Sequence, residues 1–223
     1  MCGRYAFNAD PNEVKRLFGN VMLPEVLEAR YNVAPRQKVP TVLGSADGTE
    51  CRFGFITWGL LPSWADTSEH KIRPINARDD KVHSSGMFRQ AFAKRRCLLP
   101  ATGFYEWQQN TMPKQPFHVA MRDRRLFAMA GLWECWKDGT TKIFTCCSIT
   151  TEPNDVLRPF HDRMPVIVRP ENFTEWLAAE TSEKRLRELL KPYPASEMEA
   201  FPVSGHVSKV TNEGPKCLEP LAA

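Results

Sequence analysis

Apolar residues along the chain fall mainly into short runs bounded by turn-forming positions, and alternation is commoner than the three-and-four spacing of an amphipathic helix. "CRFGFITW" (51–58), "CLLP" (97–100), "FYEWQ" (104–108), "PFHVAM" (116–121), "LFAMAGLW" (126–133), "KIFTCCSIT" (142–150) and "MPVIV" (164–168) are rich in β-branched and aromatic residues and predict strands. Helical spacing occurs in four places. "ADPNEVKRLF" (9–18) starts with Asp10 as N-cap, Pro11 in the first turn and Glu13 closing a capping box, before Val14, Leu17 and Phe18 form an apolar face. "SSGMFRQAFAKRR" (84–96) carries Met87, Phe88, Ala91 and Phe92 as a stripe, and "ENFTEWLAAE" and "TSEKRLRELL" predict two further helices. Strand runs outnumber helical ones and do not alternate strictly with them. The fold class expected is therefore α+β, with a curved, mainly antiparallel sheet or partly closed barrel flanked by helices.

The 223 residues, 42% hydrophobic and 25% charged, suffice for one large core. The 18 prolines are spread throughout, and no repeat or linker divides the chain, so residues 1–223 are read as one domain. There is no apolar stretch of membrane-spanning length and no signal-peptide pattern, which predicts a cytoplasmic protein without a membrane partner. Seven cysteines stand at positions 2, 51, 97, 135, 146, 147 and 217, with no C-x-x-C pair. The odd number and scattered spacing argue against a secreted disulfide framework and predict reduced, mostly buried thiols. Cys146 and Cys147 should point to opposite faces of one strand, so no shared metal and no structural zinc is expected.

The net charge is only +4 but unevenly placed. Residues 71–96 hold eight Lys or Arg against Asp79 and Asp80, a local +6 that leaves −2 for the rest of the chain. Such a segment is either a solvated helix face or a footprint for phosphates. Trp58 and Trp64 in "TWGLLPSWAD" precede it, and aromatic faces interleaved with cations suit single-stranded nucleic acid; both are equally compatible with core positions.

Cys2 sits directly behind the initiator methionine, and a side chain this small permits removal of Met1. A chain beginning at Cys2 would carry a 1,2-aminothiol, with reference pKa values of roughly 8 for the amine and 8.5 for the thiol. That pair condenses with an aldehyde to an imine and closes to a thiazolidine. The plainer alternative is a small buried hydrophobe. Three further stretches carry ionisable candidates: Asn76 and Arg78 in "RPINARDD", Glu106 in "GFYEW", and His161, Asp162 and Arg163 in "PFHDRMPV". Asn76 could equally cap a turn. Glu106, between Tyr105 and Trp107, should face away from both and be partly desolvated, which suits proton transfer; its alternative is an exposed strand charge. His161 is either a bonded core histidine or an acid–base group near neutrality. The five histidines form no metal-ligand spacing and no phosphate-binding glycine loop occurs, so no cofactor is expected.

Taken in order, "MCGRY", "RYNVAP", "WGLLPSWA", "INAR", "RRCLLPATGFYEW", "HDRMPVIV" and the closing "PVS...N...CLEPL" resemble the SRAP family from Cys2 to about Leu221. The resemblance implies a protein that crosslinks itself to abasic sites in single-stranded DNA, with Cys2 as nucleophile, Asn76 orienting the amine, Glu106 shuttling protons and His161 assisting sugar ring opening and release. It further implies β-elimination as a lyase side reaction, DNA contacts by Arg4, Trp58, Trp64, Arg78, Thr150 and Arg163, nucleoid association when bound to DNA, and a monomer serving one lesion. One departure is Asp80, where the family usually has Glu. If that carboxylate braces Arg78, the shorter reach is expected to weaken affinity for the strand and leave the chemistry intact.

Three other functions fit parts of the pattern. An N-terminal-nucleophile amidohydrolase also begins with Cys-Gly, but no glutamine pocket motif is present and the basic run has no role in it. A thiol peptidase, acting on peptides or on its own Met1, would use Cys2 with His161 as base. A non-covalent binder of single-stranded DNA would leave Cys2 inert.

Overall fold

The computed structural model describes residues 2–19, 21–44, 51–109 and 111–221. Its elements are β1 (Tyr5–Phe7), α1 (Pro11–Phe18), β2 (Arg30–Val33), β3 (Lys38–Gly44), β4 (Cys51–Trp58), β5 (Asn76–Arg78), α2 (Arg89–Lys94), β6 (Arg96–Ala101), β7 (Gly103–Trp107), β8 (Pro116–Met121), β9 (Phe127–Asp138), β10 (Thr141–Thr151), β11 (Met164–Pro165), β12 (Ile167–Val168), α3 (Phe173–Leu177), α4 (Glu183–Glu188) and β13 (Met198–Pro202). The architecture is mixed α+β, mostly sheet with few helices, as the hydrophobic pattern predicts. Among the described residues no helix is long and apolar enough to cross a membrane.

Two sheets organise the chain. The first runs β13-β8-β7-β1-β2. In the second, β10 pairs with β4, β4 with β3, β3 with β6, β6 with β9, and β9 again with β10, so the hydrogen bonding closes on itself. Closure removes the exposed edges an open sheet would leave. Its strands carry fully buried apolar residues, among them Val42, Leu98, Ala130 and Leu132, on the face that also bears Arg96 and meets the flanking helices. At Gly131 a Cβ would fall 2.7 Å from the Cys97 sulfur, so the barrel wall is close-packed there.

Several sequence expectations change in detail. α1 starts where predicted, with the Asp10 carboxylate accepting from the Asn12 and Glu13 amides and Glu13 returning a bond to the Asp10 amide. The helix predicted over 84–96 shrinks to α2, because Arg96 belongs to β6 and is 2% exposed. Its guanidinium donates to the carbonyls of Trp176, Phe92 and Ala178 at 2.7, 2.6 and 2.6 Å, and Arg95 pairs with Glu134 at 2.7 Å. The basic run is thus not one uniform face: its last two arginines hold the fold together. The strand expected over 164–168 divides into β11 and β12. Val166 lies between them, its N–H donating to Ile149 of β10 and its carbonyl accepting from Ala130 of β9, each at 2.8 Å. The described cysteines are all free thiols; Cys51 and Cys135 are half-buried and the other five buried.

Candidate active site

The N-terminal segment is folded inward. β1 lies between β2 and β7, with Tyr5 opposite Phe104 and Ala6 opposite Gly103, and the Tyr105 amide donates to the Arg4 carbonyl at 2.9 Å. Continuing that antiparallel register carries Glu106 opposite Gly3, beside Cys2. The β-pleat sends Phe104 into the main core and Tyr105 into a second apolar cluster, so Glu106 shares the Phe104 face. Cys2 is 1% and Glu106 3% exposed. Met1 lies outside the described residues.

Gly103 lets β8 pack closely against β7 on the opposite face. A Cβ there would clash with the ring of His118, the residue opposite Tyr105 on β8. Burial pushes the His118 imidazole down to about 3, so it stays neutral at physiological pH, packed between the Tyr105 and Phe201 rings.

Asn76 begins β5, which runs parallel to β10 with Asn76 opposite Ser148. The Ser148 hydroxyl donates to the Asn76 Oδ1, which fixes the amide so that its Nδ2 donates to the Cys2 carbonyl at 3.0 Å. Ser148 was not singled out from sequence; its place inside "CCSIT" holds no signal until β5 pairs with β10. The turn that carries His161 is built by Asn154, whose side-chain oxygen accepts from the Val156 and Leu157 amides at 3.1 Å each. His161 Nδ1 lies 2.6 Å from the Asp162 carboxylate and 3.0 Å from the Arg163 amide, which donates to it. A neutral Nδ1 accepts the amide proton; a protonated Nδ1 donates to Asp162. The ring therefore has a partner in either state.

Charge couples these groups. Burial pushes the Cys2 thiol well above its ordinary range, and the Glu106 charge adds to the shift. Burial raises the Glu106 carboxyl to about 7, with the positive N-terminus opposing it and Asp162 adding to it. Burial lowers the His161 imidazole, helped by the positive N-terminus and Arg163 and opposed by Asp162. Cys2, Asn76 and Glu106, widely separated in sequence, thus come together, and His161 is tied to them through Asp162 and the charges that act on both it and Glu106.

The Glu106 shift has a measurable consequence for stability. Between pH 4.5, its unperturbed value, and about 7 the folded chain holds the proton that the unfolded chain has lost, so stability falls as pH rises through this window. Glu106→Gln is expected to melt a few degrees above the wild type at pH 8 and level with it at pH 4, given that about 1 kcal/mol shifts a domain of this size by 2–4 °C. Thermal melts at the two pH values check this, and an offset independent of pH would dismiss it.

The residues expected to contact a strand divide into three groups. Arg78 is half-exposed and held by Asp80, its Nε and Nη2 donating to the two carboxylate oxygens at 3.0 and 3.1 Å, so the shorter acid still reaches. Trp64 is 55% exposed and meets His70 edge-on. Arg4 and Arg163 are tied to the protein: Arg4 donates to Asn32 at 2.6 Å and to the Val207 carbonyl at 2.8 Å, and Arg163 to Asp79 and the Thr150 carbonyl. Trp58 and Thr150 are corrected to interior positions. Trp58 is 1% exposed with its indole N–H donating to Ile75 at 2.8 Å, and the fully buried Thr150 hydroxyl faces the Ala77 carbonyl, so neither side chain offers a surface to a base. Asn32, 1% exposed, is a hub that sequence reading passed over. Its Nδ2 donates to the carbonyls of Val207, Lys209 and Asn212, fastening the C-terminal segment beside Arg4.

Fold and site together define a barrel-containing α+β protein that encloses its own N-terminal segment among a cysteine, an amide, a carboxyl and an imidazole. The chain belongs to the family described as SOS response associated peptidase (SRAP), which it matches over residues 1–210. It is 38% identical over 224 residues to the abasic site processing protein YoqW of Bacillus subtilis (strain 168), covering 98% of this chain and 99% of that one. To the abasic site processing protein HMCES of Gallus gallus it is 31% identical over 264 residues, covering 99% of this chain and 78% of the other. A crystal structure of a protein from Bacteroides thetaiotaomicron superposes with a TM-score of 0.88 at 26% identity, covering 99% of this chain and all of that one.

Proposed function

We propose that this protein processes abasic sites in single-stranded DNA by capturing the ring-opened sugar as a thiazolidine on Cys2 after Met1 is removed. The observation that carries the reading is the enclosure of Cys2 between the Asn76 amide and the Glu106 carboxyl, with His161 and Asp162 alongside. The relatives named as abasic site processing proteins support the substrate.

The deoxyribose at an abasic site exchanges between a closed hemiacetal and an open aldehyde. His161, able to hold or release a proton, assists opening. The Cys2 amine adds to the aldehyde carbon, and loss of water gives an iminium. The Cys2 thiol then adds to the same carbon, its proton passing to a base, and the five-membered ring closes with a net loss of one water. Glu106, titrating near neutrality, suits both donating the proton that expels water and accepting the one the thiol gives up. Asn76, held by Ser148, orients the N-terminal residue. Arg78 and Trp64 meet the strand from the surface, by phosphate pairing and by stacking, while Arg4 and Arg163 act from behind through Asn32, Asp79 and the C-terminal segment. Competing β-elimination from the iminium would give lyase activity.

Intact mass spectrometry before and after incubation with an oligonucleotide bearing one abasic site tests this. Loss of Met1 followed by a gain equal to the oligonucleotide less water, absent with an undamaged strand, is expected. Turnover of a peptide without DNA and no adduct would instead favour the peptidase.

A further inference from the structure

We propose that Arg36 and Arg73, meeting over the backbone of Gly59, form a phosphodiester subsite for the strand that flanks the captured sugar. The proposal rests on the single-strand reading above and adds a binding element to it.

Arg36 holds a left-handed backbone, φ 73°, a conformation that is strained for a non-glycine residue. Its N–H donates to the Trp58 carbonyl at 2.8 Å, which fixes it above the end of β4. Gly59 follows with φ 130°, a region that excludes other residues. A Cβ built there would lie 3.5 Å from Arg36 Cδ, 3.7 Å from Arg36 Nε and 3.7 Å from Arg73 Cβ, so the two arginines converge on one stretch of bare backbone. Among the described residues neither is paired with a carboxylate, and Arg73 gives one donor to the Ser68 carbonyl. Burial, then the charge of Arg36, makes Arg73 easier to deprotonate than a free arginine. Two arginines brought to one stretch of bare backbone at the cost of strain, with no carboxylate partner among the described residues, make an arrangement that a bridging anion relieves.

Its location identifies the anion. The Leu60 amide donates to the Pro74 carbonyl at 2.9 Å and the Trp58 indole to the Ile75 carbonyl at 2.8 Å, so the pair is fastened directly to the segment that delivers Asn76. The Gly59 amide bonds Cys146 of β10, while Asn76 stands opposite Ser148 two positions along the same strand. That separation is about 6–7 Å at the usual strand rise. It is about one nucleotide step of an extended single strand, which suits the next phosphodiester rather than a free phosphate.

The test measures affinity and chemistry separately. Anisotropy with an undamaged single strand across a salt series is expected to show the Arg36→Ala/Arg73→Ala chain binding about tenfold more weakly, with a log–log salt slope shallower by about 0.7 for each phosphate left unneutralised. Arg16→Ala, which removes one exposed charge from α1, serves as the control. Arg36→Gly removes charge but relieves the left-handed strain, so it is expected to bind weakly yet melt no lower than wild type, which separates the missing cation from misfolding. Two abasic oligonucleotides, each ending at the lesion on one side, locate the subsite: the penalty should vanish on the one lacking the flanking phosphate. Wild-type affinity in the double variant, a loss no greater than that of Arg16→Ala, an equal penalty on both half-strands, or competition by inorganic phosphate as effective as by the strand would overturn the proposal. Arginine-dependent binding by a wild-type chain that forms no adduct would remove the crosslinking function and leave the subsite standing.

Discussion

Replacing Cys2 by alanine is expected to abolish the heat- and denaturant-stable adduct with abasic single-stranded DNA, to below a thousandth of the wild-type yield. Alanine at position 2 still permits removal of Met1, so the variant keeps a free amine and can form the iminium. It cannot close the ring, because the second nucleophile is gone, and an iminium hydrolyses back. Borohydride added during incubation should therefore restore a covalent product with Cys2→Ala, while without reductant none accumulates. The substitution removes one small sulfur from a buried position, so the melting temperature should shift little. Denaturing gels with and without reductant, together with a thermal melt, check all three points. A stable adduct from Cys2→Ala without borohydride would rule out the thiazolidine, and adduct from a chain that retains Met1 would place the reactive amine elsewhere.

The second large effect is structural. Trp176 is fully buried in α3, its indole N–H donates to the Cys97 carbonyl of β6 at 2.9 Å, and its own carbonyl accepts from buried Arg96 at 2.7 Å. The ring packs against Phe92 of α2 and lies 6.0 Å from the Arg96 guanidinium carbon. Truncating such a side chain costs about 3–5 kcal/mol through reduced burial and an unfilled cavity. Trp176→Ala should accordingly lower the melting midpoint by about 6–20 °C. Trp176→Phe, which keeps most of the volume but leaves the Cys97 carbonyl without its indole donor, should fall between. Equal melting of all three chains by calorimetry would show that the packing of α3 contributes nothing to the cooperative unit.

Legibility from sequence tracked the length and regularity of each element. β4 and β8 coincide with their apolar runs at residues 51–58 and 116–121 because eight and six residues give a period-two pattern room to show. β1 and β5 have three residues each, too few to display a period, yet they deliver Cys2 and Asn76. β3 was hidden by Pro40, which is tolerated because its pairing with β6 is confined to Val42 and Leu43. At the site, the identities of Cys2, Asn76, Glu106 and His161 were legible through seven ordered motifs. Exposure was not: Trp58 and Trp64 occupy one motif, and only burial assigns the first to the core and the second to the surface.

Residue chemistry is local and is therefore carried by the chain alone: the thiol of Cys2, the capping box of α1, the alternation that makes strands, and the tendency of a buried carboxyl to keep its proton. Tertiary structure decided everything that depends on distance. Closure of β10 onto both β4 and β9 sets the barrel, pairing of β5 with β10 turns Ser148 into the residue that orients Asn76, and the β1–β7 register buries Glu106 beside Cys2. These pairings join residues far apart in the chain, and their energies arise only when strands from distant segments meet.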